Sequence, residues 1–157
     1  MTEPTYAFGE ATAPASGSKI LDRLKAKSLD MLKAQVETFA VPYRTEDGIA
    51  MSYAVYLSRD DLNLITTANT GSDYDTAVAI LVHQCRGLVI DGQVQHNDAG
   101  QPLTFQSSDL RDMLGATDTH DAVRKLYGRD GDVSRVQDAV IKACGWDLRA
   151  PLDPTGA

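Results

Sequence analysis

Two cysteines in 157 residues are too few for a disulfide scaffold. Cys85 and Cys144 both fall on apolar faces of predicted helices, and the N-terminus MTEPTYAFGE has neither a basic nor an apolar leader segment. They read as buried free thiols in a reducing cytoplasm. Long apolar runs are missing too: nothing approaches the roughly 18 residues that a membrane-spanning helix requires. Cations are in the minority, 15 Lys and Arg against 22 Asp and Glu. The resulting net charge of −7 argues against a nucleic-acid binder, whose phosphate contacts need clustered Lys and Arg. No glycine-rich phosphate loop is present, because Gly71-Ser72-Asp73 lacks both the following Lys and the spaced glycines. A G-x-S-x-G nucleophile elbow, an internal repeat and a low-complexity tract are absent as well.

What is present is an ordinary globular composition, 43% hydrophobic and 24% charged, long enough to bury a core. Its apolar centre is the stretch 74–92, YDTAVAILVHQCRGLVIDG. With Asp73 as N-cap, Ala77, Val78, Leu81, Val82 and Cys85 share a helical face, which Ala79 and Ile80 widen towards full burial. Gly87 is expected at C′ in a left-handed conformation. Leu88-Val89-Ile90 then reads as a strand, and Asp91-Gly92 as a hairpin turn.

The rest is arranged around that centre. Residues 1–17 carry Pro, Gly, Ala, Ser and Thr without periodicity and read as a disordered arm, in which Tyr6 and Phe8 are the only residues suited to docking. Ser16 or Ser18 caps a helix over 19–35, with Ile20, Leu21, Leu24, Leu32 and Val36 on one face and Ser28 interrupting the stripe. Lys19, Arg23, Lys25, Lys27 and Lys33 make this helix the one basic surface; it faces water or binds an acidic partner. A hairpin over 37–57 has Phe39, Val41 and Tyr43, then Met51, Tyr53, Val55 and Leu57, pointing inward around the turn Glu46-Asp47-Gly48. Pro42 puts its first strand at an edge or marks a bulge. Ser58 caps the next helix, with Leu57 and Leu62 as a hydrophobic staple and Leu62, Leu64 and Ile65 facing the core.

A second hairpin is expected over 88–105, pairing 88–90 with Leu103-Thr104-Phe105 across a long polar loop. Three helices follow. One, starting at Ser107 or Ser108, presents Leu110, Met113 and Leu114 and stops at Gly115; one, capped by Thr117 or Asp118, buries Ala122, Val123, Leu126 and Tyr127 and stops at Gly128. The last aligns Val133, Val136, Val140, Ile141 and Cys144, with Gly145 at C′ and Trp146 folding back on Ile141 or Val140. The predicted class is α+β: a mostly helical domain over 18–146 with two hairpins packed on helices, and a flexible tail over 147–157.

None of the titratable clusters has the spacing of a site. His83 and Cys85 lie two apart on a helix and point to different faces, and Cys144, His96 and His120 stand at no recognised metal spacing. His83 is read as a boundary residue and Cys85 as packing. Asp130, Asp132 and Ser134 imitate a calcium loop, but Arg135 and Ile141 occupy the positions that need Gly and Glu, so Asp130 or Asp132 is expected to cap the last helix. Asp60-Asp61 and Asp109 with Asp112 sit at helix starts, where carboxylates favour the dipole. No catalytic, cofactor-binding or metal-binding residue is assigned, and the chain is not read as an enzyme.

The order of parts has a known parallel. The hairpin VPYRTEDGIAMSYAVYL, a capped helix, HQCRGLVIDG, a short LTF strand, an LG stop and DAVRKLYGRDGDVSRVQDAVIKACGW together resemble tail assembly chaperones of long-tailed, siphovirus-type bacteriophages. The likeness covers 36–146, with AVRKLYG before a capped helix its most telling part. It implies a non-enzymatic protein of the host cytoplasm that coats the helical tape-measure protein, recruits tail-tube subunits and is absent from the mature virion. It also implies self-association or association with a longer, frameshifted form, this chain with its tail LRAPLDPTGA being the short one. Neither nucleic acid nor membrane is a partner. A client groove is expected on the basic helix or the final helix. The alternative is a structural tail or head-to-tail connector protein whose first hairpin pairs between subunits.

Overall fold

The computed structural model describes residues 17–26, 28–69 and 71–146. In chain order the elements are α1 (Gly17–Ala26), α2 (Leu29–Lys33), β1 (Val36–Ala40), a 3₁₀ turn (Pro42–Asp47), β2 (Ile49–Ala54), α3 (Arg59–Ala68), α4 (Asp73–Gln84), β3 (Cys85–Ile90), β4 (Gln93–Val94), α5 (Ser108–Leu114), α6 (Thr119–Tyr127) and α7 (Asp130–Ala143). The class is α+β, with one antiparallel sheet in the order β1-β2-β3-β4. The chain divides into two compact units between residues 32 and 33, inside the segment read from the sequence as one domain.

In the larger unit, α4 supplies the centre and leads without a linker into β3, because Cys85 already has extended dihedrals (φ −60°, ψ 131°). Val78 and Leu81 are buried with Met51, Tyr53 and Leu88 of the sheet and with Val123, Leu126, Tyr127, Val133 and Val140 of α6 and α7. Each such aliphatic side chain contributes on the order of 1.5–3 kcal/mol through burial. A second cluster joins Leu57, Leu62, Ile80 and Ile141 with Trp146 against it, which realises both the staple at α3 and the return of Trp146. The Trp146 indole N–H also donates to the Leu57 carbonyl at 2.8 Å, tying the end of α7 to the start of α3.

Local chemistry explains most helix ends. Ser58 Oγ accepts from the Asp61 N–H at 3.1 Å, and Asp118 accepts from the Asp121 N–H at 2.7 Å. Gly115, Gly128 and Gly145 end α5, α6 and α7 with φ of 66°, 78° and 89°, where a Cβ would be strained. Asp91 and Gly92 (φ 50° and 82°) make the β3–β4 turn, as expected of an Asp-Gly pair.

Several expectations are corrected. The helix over 19–35 is two helices: Ser28 accepts from the Met31 N–H through its Oγ at 3.4 Å and so starts α2. Of its expected caps, Ser18 lies inside α1, and Ser16, with the arm 1–16 and the tail 147–157, lies outside the described residues. Gly17, read as part of the arm, is the first residue of α1. The N-cap of α4 is Ser72, one residue before Asp73. Gly87 is no C′ residue: it lies within β3, where a Cβ would come within 3.1 Å of Val94 and 3.3 Å of Pro102. The second hairpin turns earlier than expected, at β4; of the expected return strand, Leu103 does pair with Leu88, whose N–H donates to its carbonyl at 2.8 Å, while the segment forms no named strand. Pro42 lies just beyond β1, at the start of the 3₁₀ turn, and β1 is an edge strand, the first of the two alternatives that the proline allowed. Tyr43, Leu64 and Met113 are exposed rather than inward, at 66%, 68% and 70%. Finally, Arg129 is the N-cap of α7 without a side-chain bond, so neither Asp130 nor Asp132 caps it.

Candidate functional site

The clearest surface feature is in the N-terminal unit. Ile20, Leu21 and Leu24 recur at helical spacing on one side of α1, and all three are half exposed or more. Arg23 and Lys25 stand on either flank of that row, by the same 100° spacing per residue, while Lys19 lies on the opposite side. In the next helix, Leu29, Met31 and Leu32 are likewise exposed, at 52%, 54% and 42%. Lys27 lies outside the described residues. Exposed apolar side chains set in a row, rather than scattered singly, mark a contact surface.

Two of the clefts in the larger unit are lined by titratable side chains. One, of about 340 Å³, is lined by Ile65, Val78 and Val82 together with His83, Gln106 and His120. There His120 Nε2 lies 3.0 Å from Asp75 Oδ1, and that hydrogen bond, helped by one from Ser72, holds the Asp75 carboxyl below its ordinary value. The other cleft, of about 1040 Å³, is lined chiefly by polar side chains, among them Thr66, Asp73, Thr76 and Asp138.

The titratable residues singled out in the sequence do not converge. His83 is exposed, with its Nδ1 2.6 Å from the side-chain amide oxygen Oε1 of Gln84. Cys85 is buried with its Sγ 3.3 Å from Met51 Sδ, and burial pushes its thiol up to about 11, so it stays protonated at neutral pH. Cys144 is half buried beside Gln84 Nε2, its thiol also raised by burial, and neither cysteine is in a disulfide. His96 is exposed in an isolated bridge to Pro102. Among the described residues no three His, Cys, Asp or Glu side chains gather as a metal-ligand set.

Asp132 shows what the false calcium motif is for. Its carboxylate is buried; burial opposes the charge, but hydrogen bonds and charge from Arg129 and Arg135 outweigh that and hold the group below its ordinary value. The pair of arginines thus pins the first turn of α7. Asp60, Asp61 and Asp109 lie in first helical turns, whereas Asp112 lies in the body of α5.

Three structural anchors were not legible as such. Gln84 is fully buried and donates through Nε2 to the carbonyls of Ala54 (3.0 Å) and Tyr56 (2.9 Å), clamping the end of α4 to the end of β2. Arg44, in the 3₁₀ turn, donates to the carbonyls of Leu126 (2.8 Å) and Lys125 (3.1 Å) at the C-terminus of α6. The hydroxyls of Tyr53 and Tyr127 meet at 2.6 Å inside the core, and burial raises the pKa of both. An isolated polar residue in an apolar run, such as Gln84, is the only signal the sequence offers for such anchors.

Comparison with protein-family models, with curated proteins and with solved structures finds no match to this chain.

Proposed function

We propose that this chain is a non-enzymatic tail assembly chaperone of the siphovirus type, which holds the helical tape-measure protein and assists tail-tube assembly in the host cytoplasm. The observation that carries the reading is the exposed apolar row of α1 with its basic flanks. A helical client is held by laying its apolar stripe along such a row, as in other helix-in-groove contacts. Covering one Leu on each side is worth on the order of 1.5–3 kcal/mol. A handful of such contacts gives a complex that forms at cellular concentration and still dissociates, which a departing chaperone requires. The resemblance of 36–146 to the chaperone family supplies the identity of the client, and α1 lies just outside it.

Co-expression tests the reading. The chain or its frameshifted longer form is expected to raise the soluble yield of the tape-measure protein encoded downstream, and no gain from either overturns the proposal. At the nucleotide level, a slippery heptamer near the end of the reading frame followed by a long gene for a helical protein supports it.

A second reading, a structural tail or head-to-tail connector subunit, is favoured by one observation: β1 is an exposed edge strand. Detection of the protein in purified virions decides for the connector.

A further inference from the structure

We propose that β1 is the pairing edge for a second copy of this chain, joined antiparallel about a twofold axis at Thr38. The two edges of the sheet differ. At the β4 side the following segment closes the ladder: the Gln95 N–H donates to Leu88 O (2.8 Å), the Leu103 N–H to Gln95 O (2.9 Å) and the Leu88 N–H to Leu103 O (2.8 Å). At the other side every residue of β1 except Phe39 is exposed.

The ladder shows which groups of β1 face outward. The Val41 N–H donates to Ile49 O at 3.1 Å, and the Val55 N–H donates to Gln35 O at 3.2 Å. In an antiparallel pair, bonded residues alternate, so Gln35, Glu37, Phe39 and Val41 spend their backbone groups on β2. The N–H and C=O of Val36, Thr38 and Ala40 therefore point away from the sheet.

Devices that blunt an edge are weak here. The register from Val36↔Ala54 to Ala40↔Ala50 runs without a bulge, and the strand holds neither Lys nor Pro. One self-pairing register uses every outward group. It sets Thr38 opposite Thr38 and Val36 opposite Ala40 of the second copy, and it puts Glu37 opposite Phe39. A shift of two residues in one direction sets Glu37 against Glu37, and like charges directly opposite are destabilising. The same shift in the other direction brings Pro42, which has no N–H, against Val36. Strand and partner are thus self-complementary in one register, the requirement of a twofold contact. The inference is independent of the client reading, since it concerns β1 and not α1.

Sedimentation equilibrium on the full chain, from micromolar to near-millimolar concentration, is expected to show mass rising from one copy to two. Thr38→Pro, which removes an outward N–H that β2 does not use, is expected to weaken that association at least tenfold while leaving the circular dichroism unchanged. Thr38→Cys is expected to cross-link under mild oxidation, because directly opposed Cα atoms lie about 5.5 Å apart. Glu37→Cys is expected to cross-link far less, its partner across the axis being Phe39. These two cysteine variants carry the test if Thr38→Pro fails to fold. A chain that stays monomeric throughout, or one in which Glu37→Cys cross-links as well as Thr38→Cys, overturns the proposal. A dimer indifferent to Thr38→Pro but lost in Leu24→Lys also overturns it and moves the contact to α1. A monomer whose β1 amides gain hydrogen-exchange protection only with the tape-measure protein present overturns it as well, and gives the edge to the client.

Discussion

Helix α6 spaces Ala122, Val123, Leu126 and Tyr127 along one face, and all four are sealed, between 0% and 2% exposed; α1 spaces Ile20, Leu21 and Leu24 in the same manner, and these are 50–64% exposed. The helices have similar length and similar amphipathic patterning. What separates them is the supply of partners: α6 lies against α4, α5 and α7, and Arg44 binds its last carbonyls. Periodicity therefore defines a face, and only tertiary context decides whether that face is core or contact surface.

The largest effect that sharpens this comparison is a truncation in α6. Leu126→Ala is expected to cost about 2–5 kcal/mol in urea unfolding, the range for an aliphatic side chain deleted from a packed core. Next come the buried hydroxyls: Tyr127→Phe leaves the Tyr53 hydroxyl unpaired and is expected to cost about 1–3 kcal/mol. Adding Tyr53→Phe should then cost less than its effect alone, because the orphaned group is gone. Ser58→Ala, which removes the cap of α3, is expected to cost about 1 kcal/mol.

Acid gives a further, smaller contrast. The carboxyls of Asp121 (through the Thr117 N–H, then Lys125 and Arg124) and Asp132 lie below the ordinary 3.8. Because their folded values are depressed, the stability they contribute is full above about pH 3.8 and is lost as pH falls from there through the folded values. Both serve α6 and α7, so acid unfolding monitored by near-ultraviolet dichroism is expected to steepen below pH 3.8, and less so in Asp132→Asn. Equal acid sensitivity in the two proteins contradicts that assignment. The smallest expected effect is on α1: Leu24→Ala should change stability by less than about 0.5 kcal/mol.

Legibility in the sequence follows the same division. Where a stripe, a cap and a glycine stop agree, as in α6, the sequence suffices to name the buried residues, because each local preference points to one answer. Where a residue has two uses, it misleads. Gly87 follows a helix and so resembles a C′ glycine, yet its small size serves the close approach of Val94 and Pro102. Leu64 and Met113 extend apolar patterns past the width that their neighbours cover. Gln84 and Arg44 act through backbone carbonyls distant in sequence, and no spacing encodes such partners. The candidate surface was half visible: the basic helix over 19–35 was expected to offer a groove, but the break at Ser28 and the exposure of Leu29, Met31 and Leu32 needed coordinates.

The central claim is that the α1 face holds a helical client. It is tested most directly by titrating the full chain with its tape-measure protein and comparing the natural sequence with the double variant Leu21→Lys/Leu24→Lys. The account predicts that client affinity falls about tenfold or more per lysine, as expected from losing contacts worth about 1.5 kcal/mol each, while the thermal midpoint stays unchanged. Unaltered affinity in a folded double variant contradicts it.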